Sequence, residues 1–395
     1  MLNILICHYG IVDKGGFSRN FNLAKGLVKL GHKVVILTAS NKLKLFKFPY
    51  KKLIRNDVVI LIFPDFIPKF LLEGGFGFIS IILKIFYSIF NKFDLVQCDT
   101  AQRPASGLPC LINKFLYKSK FISEWWDYYG KGGHYDRKSF IKKITIGFFD
   151  NYFEIRSRNF ADGIVCITNG MRERAIKLGY DENKLCVLNG GADVDSINFI
   201  EMSNYKEKLG ISADKITFGL INIEDSEIED FKAFLSILTM EKYKNKIACL
   251  SFGTKLSEKS KKELKLNNDF LELGWIDFKK ESIKLSAVDF FVILKEDNLI
   301  NRTGWPNKTG DCFAAGRQIL TNGTGDLKEY IKKYPDLFIY CDNSISSLVE
   351  KVDHLIKNYN YYVSKRNVCR RIAETELSWN SRAKELESFY YKIIQ

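Results

Sequence analysis

The chain has 395 residues, of which 46% are hydrophobic and 27% charged; that is too long for one ordinary core and too apolar for a disordered polymer. Its formal net charge of +14 admits nucleic acid, anionic lipid or phosphorylated ligands as partners, but no helix-turn-helix or RNP-type pattern accompanies it, which excludes nucleic acid. The opening MLNILICHYG reads as a strand and not as a secretion leader, the nine cysteines form no C-x-x-C pair, and the four histidines have no metal-ligand spacing, so a cytoplasmic chain with reduced thiols and no metal site is expected.

Asn3 to Cys7 is an apolar strand, Phe17 to Leu30 a helix stopped at Gly31, and Lys33 to Thr38 a second strand: a β–α–β opening. Gly15 and Gly16 precede that helix, where backbone can approach a ligand closely. The loop is neither a G-x-G-x-x-G fingerprint nor a Walker loop, so no NAD or other bound cofactor is expected. Val58 to Phe63 is a third strand. Phe76 to Phe90, FGFISIILKIFYSIF, is broken by Lys84, flanked by Lys69 and Lys92, and short of the about 20 residues a span needs. It reads either as a buried helix or as an interfacial helix in the headgroup region.

Asp94 to Cys98 is a fourth strand, Pro104 to Leu116 a helix, and Phe121 to Ser123 begins a strand that ends in Glu124-Trp125-Trp126-Asp127. Acidic and aromatic residues at a parallel strand's C-terminal end, before glycines 130, 132 and 133 and His134, mark the ligand edge of an open α/β sheet. Trp125 and Trp126 read either as sugar-stacking faces or as a packed aromatic corner. A helix over 150–160, a strand over 163–167, a helix over 171–178 and a strand over 184–188 complete the first half. Asn189 to Asp195 is turn-rich, and the boundary is set near residue 191.

The alternation then restarts, with strands at 215–221, 247–252, 270–273, 289–294, 318–321 and 338–341. The stretch Gly304 to Ile331 is the most informative. It sets Asp311 at the head of a short small-residue helix, passes one strand, and enters another helix through Gly323 and Gly325. Two helix starts one strand apart suit a phosphate-bearing ligand whose ribose needs a carboxylate acceptor.

The Gly15-Gly16 loop, Ala161 to Thr168 with Asn189 to Asp193, Gly310 to Gly316 with Gly325 and Glu329, and the closing Leu377-Ser378-Trp379 together resemble glycosyltransferase family 4. The resemblance implies an α/β chain of the GT-B fold, with two Rossmann-like domains facing across a cleft. Residues 1–190 would be the acceptor-side domain, 191–372 the nucleotide-sugar domain, and 373–395 a helix returning toward the first. It implies retaining transfer from a nucleotide sugar, the co-substrate, to a glycan or lipid-linked acceptor in cell-surface polysaccharide biosynthesis. Catalysis would be metal-independent. The cysteines, the net charge and the Phe76–Phe90 run add the expectation of a place in the cytoplasm or at the inner face of the membrane, with peripheral contact to anionic lipid.

Asp311 matches the second acid of the family's Glu-x7-Glu motif; the first would fall at Thr303, so Glu296 or Asp297 would have to substitute. The family's Arg/Lys diphosphate clamp falls in Asn222 to Glu227, an acidic loop, which leaves Lys308, Lys255 and Arg302 as candidate cations in that order. Asp127 and Lys308 are the expected catalytic residues. Gly15, Gly16, Lys255, Arg302, Thr309, Asp311 and Gly325 would bind the donor, and Trp125, Trp126 and His134 lie on the acceptor side. A non-catalytic relative that binds a nucleotide sugar or glycan as a scaffold is the alternative.

Overall fold

The computed structural model describes residues 1–42, 49–201 and 203–395. The chain divides into two compact units: Met1–Gly190 with Arg302–Trp305 and Trp379–Gln395, and Gly191–Asn301 with Pro306–Ser378. The second unit therefore runs past the expected limit at residue 372, and residues 373–378 stay with it.

In the first unit, strands β1 (Asn3–Ile11), β2 (Lys33–Ser40), β3 (Lys51–Arg55), β4 (Val58–Pro64), β5 (Leu95–Cys98), β6 (Lys120–Trp125), β7 (Gly163–Cys166) and β8 (Leu185–Val187) form one sheet. The order is β3-β4-β2-β1-β5-β6-β7-β8, parallel except for β3, an antiparallel edge that the sequence did not signal. Helices α1 (Phe17–Lys29), α2 (Phe78–Phe90), α3 (Pro104–Tyr117) and α4 (Phe140–Ile144) belong to it, as does the closing helix Trp379–Ile394. Strands covered on both faces need uninterrupted apolar runs, which LNILIC and KVVILT supply: Ile4, Leu5, Ile6 and Cys7 are wholly buried. Gly26 of α1 lies so close to the closing helix that a Cβ there would stand 2.4 Å from the Ala383 methyl. Of the nine cysteines, all free, only Cys186 reaches solvent in part.

In the second unit, β9 (Ile216–Ile221), β10 (Ile247–Phe252), β11 (Phe270–Gly274), β12 (Phe290–Ile293), β13 (Gln318–Thr321) and β14 (Phe338–Tyr340) are all parallel, in the order β11-β10-β9-β12-β13-β14. Helices α5 (Lys308–Ala314) and α6 (Leu327–Lys333) flank β13 in sequence. Phe218, Phe234, Phe290 and Leu320 form its core.

The parallel part of the first order reverses direction once, between β1 and β5, and the second order once, between β9 and β12. Chain crossing to opposite faces on either side of such a point leaves a crevice at the strands' C-terminal ends. In the second sheet β9 and β12 pair only at Phe218–Phe290 and Gly219–Phe291. Beyond that pair, toward Ile221 and Ile293, the two strands part.

Candidate active site residues

At the first switch point β1 carries His8-Tyr9 toward its C-terminal end, and β5 ends at Cys98, one residue before Asp99. Asp99 is wholly buried and accepts from His8 Nδ1 at 2.5 Å, from Asn20 Nδ2 at 3.0 Å and from the Tyr9 amide at 3.3 Å. The Tyr9 ring stands half-buried, and burial first, then the Asp99 charge, pushes its hydroxyl up to about 12, so it stays a hydrogen-bond donor at neutral pH. Beside it, after β6, Asp127 accepts from Tyr129 Oη at 3.4 Å and lies 3.9 Å from His134 Nε2. Arg103 donates to Asp150 at 2.9 Å. Asp127 and His134, named from sequence, are thus together and accessible; Tyr9, Asp99 and Arg103 join them without a sequence signal beyond a polar end on an apolar strand.

The two tryptophans correct the stacking expectation. Trp125 is 0% exposed, with its indole N–H on Glu154 at 2.9 Å and its ring between Arg158 and Arg174, at 4.4 and 4.8 Å. Trp126 is 8% exposed and donates to Glu124 at 2.6 Å. Neither offers a free face to a sugar. Trp126 also fills the space that a ligand would need beside Gly16, where a Cβ would lie 1.9 Å from the indole. Gly15, with φ +54, shapes the turn. Arg19, in the first turn of α1, is turned inward to Glu124 at 2.7 Å and to the carbonyls of Leu188 and Asn189.

At the second switch point the chain leaves β9 through Asn222, whose φ of +50 turns its carbonyl toward α5. Lys308 donates to that carbonyl at 2.9 Å, and burial lowers its pKa. Lys295, two residues beyond β12, pairs with Glu227 at 2.6 Å and lies 3.6 Å from Asp230. Sequence reasoning passed over Lys295 because it looks like any loop lysine. The acidic loop is less repulsive than its composition suggests. Asp225 is spent on the Ser257 amide and the Ser260 hydroxyl, at 3.1 and 2.6 Å, and Glu227 on Lys295.

Asp311, in the first turn of α5, is pushed up to about 7 by burial and then by the Asp193 charge, although part of its side chain still reaches solvent. Thr309 is buried, with no hydrogen-bond partner on Oγ1. Gly325 takes φ +63 in the turn after β13, where Thr324 bonds the Lys295 carbonyl at 3.0 Å. Lys255 is exposed one residue after Thr254, which bonds Asn222 at 3.0 Å. Arg302 and Thr303 group with the first unit, where the Thr303 carbonyl accepts from Thr168 at 2.7 Å. Glu296 is exposed and tied through its amide to Asp230 at 2.7 Å, so the structure brings no second acid beside Asp311 from that position. Helices α5 and α6 have seven residues each, so they offer amide donors and little macrodipole. A cavity of ≈ 600 Å³ lined by Lys215, Thr239, Lys244 and Asn267 lies at the opposite, N-terminal edge of this sheet, away from these groups. Among the described residues no cluster of three or more His, Cys, Asp or Glu could hold a metal ion.

Residues 15–196 match the family model described as Glycosyltransferase Family 4, so the resemblance read from the motifs holds over that stretch. No curated protein matches the chain. Among solved structures, Anabaena Alr3699/HepE in complex with UDP and glucose is 12% identical, with a TM-score of 0.69 and coverage of 99% of this chain and 100% of that one. A glycosyltransferase from Rickettsia africae is 15% identical, TM-score 0.69, over 100% and 99%. WaaG, a glycosyltransferase involved in lipopolysaccharide biosynthesis, is 12% identical, TM-score 0.65, over 98% and 99%. The fold is GT-B, with two Rossmann-like domains.

Proposed function

We propose that this chain, GT-B in fold and matched to glycosyltransferase family 4 over residues 15–196, is a retaining glycosyltransferase that uses a nucleotide sugar. The observation that carries the reading is the pair Lys308 and Lys295 at the β9/β12 switch point, above a turn in which Asp225 and Glu227 already hold partners and Glu224 stands exposed. Two cations at that edge suit the diphosphate of a sugar nucleotide, and HepE, similar in fold, holds UDP and glucose.

In the proposed step an acceptor hydroxyl attacks the anomeric carbon from the face the diphosphate leaves. The carbon–oxygen bond to phosphate breaks as the new glycosidic bond forms, and the acceptor proton passes to the departing phosphate oxygen, giving a nucleoside diphosphate. Lys308 and Lys295, with the amides of the α5 and α6 turns, offset the charge that gathers on the leaving group, so this reading needs no metal. Asp311, whose side chain still reaches solvent in part, is assigned to the ribose side; buried Thr309 is not. The polar edge of Asp127, Tyr9 and His134 in the first unit is assigned to acceptor binding. The acceptor is a glycan or lipid-linked glycan of cell-surface polysaccharide synthesis, a reading supported by the likeness to WaaG.

A panel of nucleotide sugars tests this by thermal shift and by release of nucleoside diphosphate. A donor that both raises the melting temperature and turns over supports it. Buried Thr303, where the motif's first acid would stand, favours a second reading, a nucleotide-sugar-binding scaffold; a melting shift without turnover selects that one.

A further inference from the structure

Helix α2 has its polarity reversed. Its buried residues are Ser80, Lys84 and Ser88, one stripe at intervals of four, whereas Phe78, Phe86 and Phe90 are 68%, 52% and 77% exposed. The orientation is pinned: the Lys84 ammonium donates to the carbonyls of His8 at 2.8 Å and Ala105 at 3.3 Å, and Asn113 of α3 donates to Ser88 O at 2.8 Å. Placing an ammonium inside and three phenylalanines outside is costly in water, where an amphipathic helix turns the other way.

The exposed face continues. Phe76, just ahead of α2, meets Phe149 with ring centroids 4.9 Å apart, and Phe149 lies shortly after α4, whose Phe140 and Ile141 are 77% and 72% exposed. Each phenylalanine carries about 150–250 Å² of surface, so this face exceeds the few hundred Å² of apolar patch that a soluble monomer normally shows. Not one Asp or Glu occurs in 74–93, 100–123 or 137–149, while Lys92, Lys118 and Lys142 are exposed there.

We propose that the α2–α4 face of the first unit docks on an anionic lipid bilayer, its phenylalanines entering the headgroup boundary and its lysines meeting the lipid phosphates. Within the 74–93, 100–123 and 137–149 segments apolar surface and cations stand without carboxylates, the nearest acids that reach solvent being Glu73, Asp94 and Asp136 at their ends. Such a surface complements anionic lipid. A second copy of the chain would set like charges against each other. The stretch Lys69–Phe90 is long and apolar enough to cross a membrane by length and composition. It breaks at Gly74-Gly75, however, with φ +81 at Gly75, and α2 alone spans only ~20 Å of a ~30 Å hydrocarbon layer. The helix therefore lies on the bilayer. This proposal does not depend on the transferase reading.

The test is flotation of the full chain with phosphatidylcholine vesicles, with and without phosphatidylglycerol. Wild-type protein is expected to float with the anionic vesicles and to be released by salt. Lys142→Glu/Lys143→Glu is expected to weaken binding by at least roughly fivefold per lysine. Phe140→Ser/Ile141→Ser is expected to weaken it further with an unchanged melting temperature. Wild-type protein that ignores anionic vesicles overturns the proposal, even if a variant fails to fold. So does wild-type self-association in sedimentation equilibrium that Phe140→Ser/Ile141→Ser abolishes, which would assign the face to a second copy.

Discussion

Lys308 donates its ammonium hydrogen bond to the backbone carbonyl of Asn222, at 2.9 Å and across 86 residues of sequence. The contact hangs a cation from α5 over the turn that ends β9, the point in the second sheet where strand order reverses. Half-buried there, Lys308 gives up solvation that a diphosphate would restore as Coulomb attraction.

Lys308→Ala is expected to lower the turnover of donor by about 10²–10³-fold, the range for loss of one preorganised charge-stabilising donor. Among the described residues its hydrogen bond goes to a carbonyl that water can take over, so the melting temperature should move little. Initial rates at saturating donor check it, and turnover within twofold of wild type (on the order of RT in barrier) rejects the clamp.

Lys295 has a different part, because it neutralises Glu227 and approaches Asp230 while lying near Lys308. Lys295→Ala leaves those carboxylates beside the incoming phosphates. Donor affinity by calorimetry should fall by about tenfold or more. Lys295→Ala/Glu227→Gln should then recover part of it, since the neutral amide removes the exposed repulsion. A double variant no better than the single one would mean that Lys295 acts only by direct contact.

The strand alternation and both glycine turns were legible, since buried parallel strands must be apolar runs bounded by turns. What was not legible depended on partners far away in sequence. His8 and Asp99 meet across 91 residues, and Trp125 is covered because Glu154 and Arg174 reach it from later helices. The run at Phe76–Phe90 read as ambiguous because composition does not say which way a helix is rolled. The buried stripe of Ser80, Lys84 and Ser88 is visible only once the helix is packed.

Asp311 sets a pH dependence. Burial and the neighbouring Asp193 raise its carboxyl from 3.8 to about 7, so the folded chain holds this proton where the unfolded chain has released it. The stability that the proton contributes is full below about pH 4 and is lost as pH rises through about 7. Asp311→Asn, which is neutral at every pH, should raise the melting temperature near pH 8 and change it little near pH 4. Partial exposure keeps the gain small. Thermal melts at the two pH values check this, and a gain of equal size at both would mean that charge is not its origin.

Gly16 separates two accounts of the first glycine loop. If the glycine is there for a ligand, Gly16→Ala should spare stability and weaken donor binding. The structure favours the other outcome. A Cβ would stand 1.9 Å from the Trp126 ring, which cannot swing aside because its N–H is held by Glu124 at 2.6 Å and Arg19 lies over it at 5.9 Å. Overpacking of this kind costs about 1–3 kcal/mol, read from urea midpoints. Trimming the ring in Gly16→Ala/Trp126→Phe removes the atoms that clash, so the two changes should couple favourably by more than about 0.5 kcal/mol. Strict additivity would place the cost of the alanine elsewhere and return Gly16 to the ligand.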